Sequence, residues 1–113
     1  MPLNDDGEKM LKGVRFLMGS DAGVAIISLL FYGRAMYGLE MVKESGGQLK
    51  RGTIYVYLRR MEQQGLISSE VHNNPVNEGA QRRRYRITAL GKRALISSET
   101  ARRLVGLGSP VPA

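Results

Sequence analysis

The chain has 113 residues, with 17 Lys and Arg against 10 Asp and Glu, a formal net charge of +7 and no cysteine. This length predicts one domain, and the charge favours an anionic partner, with nucleic acid ahead of a membrane surface. Disulfides, thiolate catalysis and cysteine metal sites are excluded. The acidic N-terminus does not resemble a signal peptide, and the longest apolar run, Val24–Phe31, is too short to span a bilayer. We therefore expect a cytoplasmic protein with no membrane partner.

The N-terminal segment combines a disordered start, expected over residues 1–7, with a short helix from Glu8 that Gly19 ends. Its apolar residues recur at helical spacing. They are Met10, Val14, Leu17 and Met18. This stripe must be covered, and we expect it to pack on the C-terminal helix of its own chain or of a partner.

Two helices follow. Ser20 or Asp21 can cap the first, which runs to about Phe31 and is apolar on nearly all sides, as core helices are. The second is predicted over about Ala35–Glu44, and glycines 46 and 47 end it. Helical spacing turns Met36, Leu39 and Val42 inward, and Tyr37 and Glu40 outward.

The next helix is predicted to start at Lys50 and to end at Gly65. Ile54, Leu58 and Met61 form a buried stripe, whereas Tyr55 and Arg59 lie on the other side. A helix with a bare, basic, aromatic face fits a DNA major groove, which admits one helix. The alternative is an amphipathic helix whose basic face is simply solvated. Two short helices joined by a glycine turn, the second one basic, form a helix-turn-helix pattern.

A β-hairpin comes next. Leu66–Val71 and Arg82–Ile87 read as its strands, joined by a loop rich in Asn, Pro and Gly. Four arginines, 82, 83, 84 and 86, fall on the second strand, and their planar forks suit bidentate contact with phosphates. The alternative is an edge strand charged to prevent aggregation.

The last predicted helix covers about Ala89–Leu104, with Thr88 as its cap. One face is apolar and is the expected dimerisation element. Its residues are Leu90, Ala94, Leu95, Ala101, Leu104 and Val105. Residues after Gly106 read as a loose tail.

Three separated strings give the chain a family resemblance. They are GRAMYGLEMV with Gly33, Gly38 and Glu40, then GTIYVYLRRMEQQGLI from Gly52, and RRRYRITALG from Arg82. Over about residues 22–95 the chain resembles the PadR family of bacterial transcriptional regulators. It departs from the family pattern at Val56 and Arg34, positions where proline is common.

This resemblance implies a mainly α fold with a small two-stranded β-wing, a winged helix-turn-helix. It implies a homodimer that binds double-stranded operator DNA, usually as a repressor. From the apolar faces of the chain we expect the dimer to pair through the C-terminal helix, with help from residues 8–18. Many members answer to a small-molecule effector at the dimer interface. The chain then divides into an N-terminal extension (1–19), a DNA-binding domain (20–88), a dimerisation helix (89–106) and a tail (107–113).

The candidate DNA-binding residues lie on the basic helix, in the turn before it, on the preceding helix and on the hairpin. They are Tyr37, Lys50, Arg51, Thr53, Tyr55, Arg59, Arg60, Arg82, Arg83, Arg84 and Arg86. The resemblance carries over Tyr55 and the four hairpin arginines. Tyr37, Arg59 and Arg60 are expected to touch the DNA backbone, and Tyr55 with Lys50 or Arg51 to reach bases or phosphates.

Enzymatic chemistry has little support in the sequence. The single histidine, His72, has no partner at triad or ligand spacing, and the glycines after Ser45 lack the lysine of a P-loop. An acidic cluster at Asp5, Asp6 and Glu8 is better read as solvated charge than as a cation site. We expect no enzyme, no cofactor and no metal.

Two rivals remain open. A winged helix can dock an acidic protein through its basic face, in which case DNA binding is weak and indifferent to sequence. A basic RNA-binding protein would instead prefer single strands and stack bases on aromatic side chains. Only Tyr37 and Tyr55 are expected to be exposed enough for stacking, so the RNA reading ranks lower.

Overall fold

The computed structural model describes residues 4–73 and 81–106. Helices and strands alternate in the order expected of a winged helix. The helices are α1 (Asp5–Met18), α2 (Asp21–Leu30), α3 (Gly38–Glu44), α4 (Ile54–Gln63) and α5 (Ala89–Val105), and the strands are β1 (Met36–Tyr37), β2 (Ile67–Asn73) and β3 (Gln81–Ile87). The predicted hairpin loop over residues 74–80 and the predicted tail over 107–113 lie outside the described residues.

The sheet corrects the predicted wing, because it has three strands where the sequence predicted two. All pairings are antiparallel, and the strand order is β1-β3-β2. Met36 pairs with Tyr85 and Tyr37 with Arg84, so two residues assigned to a helix from Ala35 instead extend the hairpin. The prediction failed there because this pairing joins residues nearly fifty positions apart, and local periodicity cannot register it.

A single core lies between the helices and the inner face of the sheet. The predicted stripe of α4, made of Ile54, Leu58 and Met61, has no solvent exposure. On α3 the inward prediction was wrong for Leu39, which is 37% exposed, whereas Met41 is fully buried in its place. That helix begins three residues later than expected, and therefore different positions point towards the core.

The N-terminal helix is longer than predicted. Disorder over residues 5–7 was wrong, because Asn4 accepts a hydrogen bond from the Gly7 amide at 2.7 Å and starts α1 there. The expectation that α1 packs on the C-terminal helix is confirmed within the same chain. Arg102 of α5 donates to the Leu17 and Met18 carbonyls at 2.9 and 3.2 Å, and Gly13 lies against Ala94.

Helix boundaries elsewhere follow the capping residues. Ser20 accepts from the Gly23 amide and Thr88 from the Gly91 amide, as predicted. The start of α4 was wrong by four residues, because the Lys50 carbonyl accepts from Thr53 and Ile54 in a turn that precedes the helix. Gly65 ends this region in the left-handed conformation, with φ of 78°.

Among the described helices, none alone has both the length and the apolar composition to cross a membrane. Only α1 and α2 taken together meet those criteria, and the two helices meet at a bend of 114°.

Candidate nucleic-acid interface

The outer side of α4 is largely exposed to solvent. Tyr55 is 51% and Val56 is 52% exposed, and Arg59, one helical turn after Tyr55, is also exposed. This agrees with the predicted bare face, since the buried stripe holds the opposite side of the helix in the core. The exposed surface therefore combines an aromatic ring and a guanidinium one turn apart.

The hairpin flanks this same surface. Tyr55 of α4, Tyr37 of β1 and two arginines of β3 line a cleft of about 330 Å³, which we call the Tyr37–Tyr55 cleft. Its lining is Tyr37, Gly38, Leu39, Tyr55, Arg82, Arg83 and Tyr85. The exposed face of the basic helix and the arginine-bearing strand of the hairpin thus meet at one surface.

A glycine sets the position of Tyr55. A Cβ on Gly38 would lie 2.9 Å from the Cε1 atom of the Tyr55 ring and 3.3 Å from Leu58 Cδ1. Because a real Cβ does not approach other atoms so closely, only glycine lets the ring settle against the start of α3. Gly38 was part of the family string, but residue spacing could not predict that it contacts the Tyr55 ring.

A hydrogen-bonded bridge ties α4 to both hairpin strands. Arg83 donates to the Ser69 hydroxyl at 3.0 Å, and Ser69 donates to a Glu62 carboxylate oxygen at 2.6 Å. The three residues come from β3, β2 and α4. The bridge fixes the hairpin relative to the helix and holds one of the predicted DNA-binding arginines close to an acidic group.

Tyr85 lies beneath this bridge and is only 5% exposed. Burial is the main cause of its raised pKa, and the negative charge of Glu62 adds to the effect. Arg83 acts in the opposite direction and lowers the pKa of the phenol. The hydroxyl is therefore kept neutral, and the charges that face the cleft are those of the arginines.

The remaining hairpin arginines differ in their surroundings. Arg84 is half-buried, and its Cζ atom lies 5.5 Å from the centre of the Tyr37 ring. Arg86 lies near the end of β3 and donates to the Gly33 carbonyl at 3.2 Å, away from the cleft. The structure therefore brings Arg82 and Arg83 together with Tyr55 but places Arg86 at the base of the hairpin.

The other predicted residues surround α4. Lys50, Arg51 and Thr53 are exposed in the turn before the helix, and the Thr53 hydroxyl lies 3.5 Å from the Lys50 carbonyl oxygen. Arg60 is exposed, but it lies about 140° around the helix from Tyr55. It is on the flank away from the hairpin and does not line the Tyr37–Tyr55 cleft.

Sequence reasoning missed Ser69, the central member of the bridge. Nothing in its local pattern distinguishes it from the exposed Ser68 beside it. The usable signal was Glu62, the one acid on the basic helix, because an isolated carboxylate among arginines often has a specific partner. Its partner is distant in sequence, so the pairing itself was not predictable.

The arrangement offers hydrogen-bond donors and positive charge, which suit a polyanion. Within residues 4–73 and 81–106, no three His, Asp or Glu side chains come together as a group that could hold a metal ion. His72 lies 3.8 Å from Glu70 and edge-on to Tyr37, with ring centres 6.4 Å apart. It therefore belongs to the hairpin surface.

Comparison with known proteins decides the family. The profile of the transcriptional regulator PadR-like family matches residues 26–97, which is more than half of the chain. The chain belongs to the PadR-like family of transcriptional regulators. This confirms the resemblance drawn from the three strings, and the family is one of DNA-binding regulators.

Solved structures agree with this assignment. A PadR family transcription regulator from Clostridium difficile R20291 is 31% identical with a TM-score of 0.61, over 77% of this chain and 92% of that one. A PadR family regulator from Eggerthella lenta is 29% identical with a TM-score of 0.66, over 82% and 81%. Bacillus subtilis PadR in complex with operator DNA is 23% identical with a TM-score of 0.59, over 80% and 50%, and shares the fold.

An uncharacterized protein of Lysinibacillus sphaericus, protein X, is 34% identical over 74 residues. The match covers 60% of this PadR-family chain, and the chain spans 66% of that relative's length.

Proposed function

We propose that the chain is a repressor that binds a pseudo-palindromic double-stranded operator as a homodimer. The observation that carries the proposal is the Tyr37–Tyr55 cleft, in which the exposed face of α4 and the arginines of β3 form one surface. In this proposal α4 enters the major groove, and Arg82 and Arg83 bind the flanking phosphates. That Bacillus subtilis PadR, a protein of the same fold, was solved in complex with operator DNA supports double-stranded DNA as the partner.

The domain roles predicted from the sequence are kept, with one correction. Ala94 and Leu95 of the predicted dimerisation face are buried in the chain's own core, so only the outer and C-terminal part of α5 is free to pair. Residues 20–88 would bind DNA, and residues 89–106 would form the dimer interface with help from α1. Leu104 and Val105 at the end of α5 are 80% and 60% exposed, and Ile96 is 53% exposed. Apolar side chains this exposed favour burial against a second copy. Two recognition helices would then reach major grooves about 34 Å apart on one side of the duplex.

An effector is the remaining part of the proposal. A cleft of about 210 Å³ between α2 and α5 is lined by Phe31, Tyr32, Leu95 and Ile96, with Ser28 and Glu99. It is smaller than most ligand pockets, which begin near 300 Å³. A second chain packed on Tyr32 and Ile96 would deepen and enclose it. We propose that a small apolar or aromatic molecule binds there in the dimer and relieves repression.

The test is a binding assay on a duplex carrying the gene's own upstream region, at two salt concentrations, with random-sequence DNA as competitor. We expect specific retention at near-physiological salt, and a log–log salt slope near −0.9 for each phosphate neutralised. Binding that random DNA removes completely would favour a basic protein-docking module instead. A slope shallower than about −2 for the dimer would contradict the role of the hairpin arginines. Sedimentation equilibrium tests the dimer.

A further inference from the structure

The ring of Tyr37 is the centre of a cluster of positive and aromatic groups. The guanidinium carbon of Arg82 lies over the ring at 3.9 Å from its centre, and that of Arg84 at 5.5 Å. His72 meets the ring edge-on. Both arginines are thus within the roughly 6 Å at which an aromatic face attracts a cation.

The strand register explains how the cluster forms. Tyr37 pairs with Arg84 across the β1–β3 ladder, and Arg82, two residues along, shares the same side of its strand. His72 pairs with Arg82 from β2. Tyr37 is also anchored through its backbone, because its amide donates to Glu40 at 2.8 Å. The short strand β1, which the sequence did not predict, therefore places the Tyr37 ring beside Arg82 and Arg84.

Contact with the Tyr37 ring lowers the entropy that an arginine side chain loses when it binds a phosphate. A free arginine side chain carries about 2 kcal/mol of rotamer entropy, and part of that is lost when it binds a phosphate. A guanidinium held over an aromatic face is already partly ordered, and the attraction acts through the ring face and the positive charge, not through the N–H donors. The ring therefore holds the group without using the donors that a phosphate needs.

We propose that Tyr37 is a positioning residue for DNA binding. Its ring holds the Arg82 guanidinium at the Tyr37–Tyr55 cleft and attracts that of Arg84 more weakly. The sequence predicted that Tyr37 touches the DNA backbone itself. In the present proposal the ring acts, and the hydroxyl is dispensable. The inference rests on the proposed function, because the arginines must be phosphate ligands for their positioning to matter.

The first experiment needs no DNA. In the NMR spectrum of the free protein, the Arg82 side-chain protons should be shifted upfield by the ring current of Tyr37. The shift should persist in Tyr37→Phe and disappear in Tyr37→Leu. Arg59, exposed on α4 and outside the cluster, is the internal control and should show no such change. Unshifted Arg82 protons in the unaltered protein would overturn the proposal, whatever the variants do.

The second experiment measures operator affinity by titration. We expect Tyr37→Phe to bind within twofold of the unaltered protein and Tyr37→Leu to bind about fivefold more weakly. In an Arg82→Gln/Arg84→Gln background, Tyr37→Leu should cost less than twofold, because the groups it positions are gone. Thermal melting separates a general loss of folding from this effect. Should Tyr37→Leu not fold, Tyr37→Thr, a better strand former, replaces it.

The outcomes separate the two proposals. An equal loss in Tyr37→Phe and Tyr37→Leu would mean that the hydroxyl contacts DNA directly and would overturn the positioning role. A full fivefold loss in the double-glutamine background would do the same. Failure of the unaltered protein to retain its operator, with the Arg82 protons still shifted, would sink the proposed function while leaving the stacked geometry intact.

Discussion

Ser69 donates a 2.6 Å hydrogen bond to Glu62, and this contact joins the second strand of the sheet to the helix that bears Tyr55. Arg83 completes the bridge from the third strand. The contact places Glu62, the one carboxylate of α4, close to the arginine-bearing strand β3, on a helix that itself carries arginines. It therefore affects both the rigidity of the hairpin and the charge that a DNA phosphate would meet.

The first prediction concerns that carboxylate. Glu62→Gln keeps the size of the side chain and its ability to accept from Ser69, but it removes a negative charge close to the proposed phosphate contacts. We expect two- to fivefold tighter binding to operator and random DNA alike, since the change is electrostatic and carries no sequence information. Titrations at two salt concentrations measure it. Glu8→Gln, an exposed acid on α1, is the control, and weaker binding by Glu62→Gln would contradict the prediction.

The second prediction concerns Gly38. Gly38→Ala should push the Tyr55 ring out of its seat, because the added methyl would meet that ring at 2.9 Å. The ring is exposed and can move, so we expect less than about 1 kcal/mol of lost stability but three- to tenfold weaker operator binding. The matched control is Gly19→Ala, outside the proposed interface, where the nearest atoms to the new atom are at 3.7 Å. Unchanged operator affinity in Gly38→Ala would show that the position of Tyr55 does not matter.

The third prediction concerns Gly91 in α5. A Cβ at this position would collide with the Leu66 backbone oxygen, which also accepts from Thr88. The helix and the start of the hairpin would have to separate, and we expect Gly91→Ala to cost about 2–3 kcal/mol. Alanine normally stabilises a helix relative to glycine, so the expected sign is the reverse of the usual one. Denaturant unfolding tests it, with Gly19→Ala as the control because its nearest atoms are at 3.7 Å.

The fourth prediction concerns two neighbouring arginines. Arg102 donates to the last carbonyls of α1, where a positive charge also favours the helix dipole, whereas Arg103 is exposed. We expect Arg102→Met to cost about 1–2 kcal/mol and Arg103→Met to change stability by less than about 0.5 kcal/mol. Chemical denaturation compares the two. Equal effects would mean that charge alone, and not the α1 contact, is responsible.

The fifth prediction concerns alkaline pH. The pKa of Tyr85 is raised by burial, by Glu62 and, less strongly, by Tyr55, so the folded state keeps the proton more tightly than the unfolded state. The stability linked to this proton is complete below the unfolded pKa of about 10 and is lost as pH rises through the folded pKa. We expect the melting temperature to fall above about pH 10, and to fall less steeply in Tyr85→Phe. Parallel curves for the two proteins would contradict it.

Much of this fold follows from local sequence signals. The caps Ser20 and Thr88, the buried stripe of α4 and the helical order all obey rules that operate over a few residues. The strand at Met36–Tyr37, the Ser69 bridge and the seat of Tyr55 do not, because each depends on residues far apart in the chain. The exposed basic face of α4 was therefore predictable, whereas the groups that orient its side chains were not.

The contact between α1 and α5 has a practical consequence. The family profile begins at residue 26, yet Leu17 is fully buried and Gly13 lies against Leu66 and Ala94. A shortened version that started at the family boundary would expose the apolar side chains that α1 covers, and this exposed surface would favour aggregation. The smallest stably folded unit of this regulator therefore includes its first helix, and a shortened protein for crystallography or NMR should keep α1 whole.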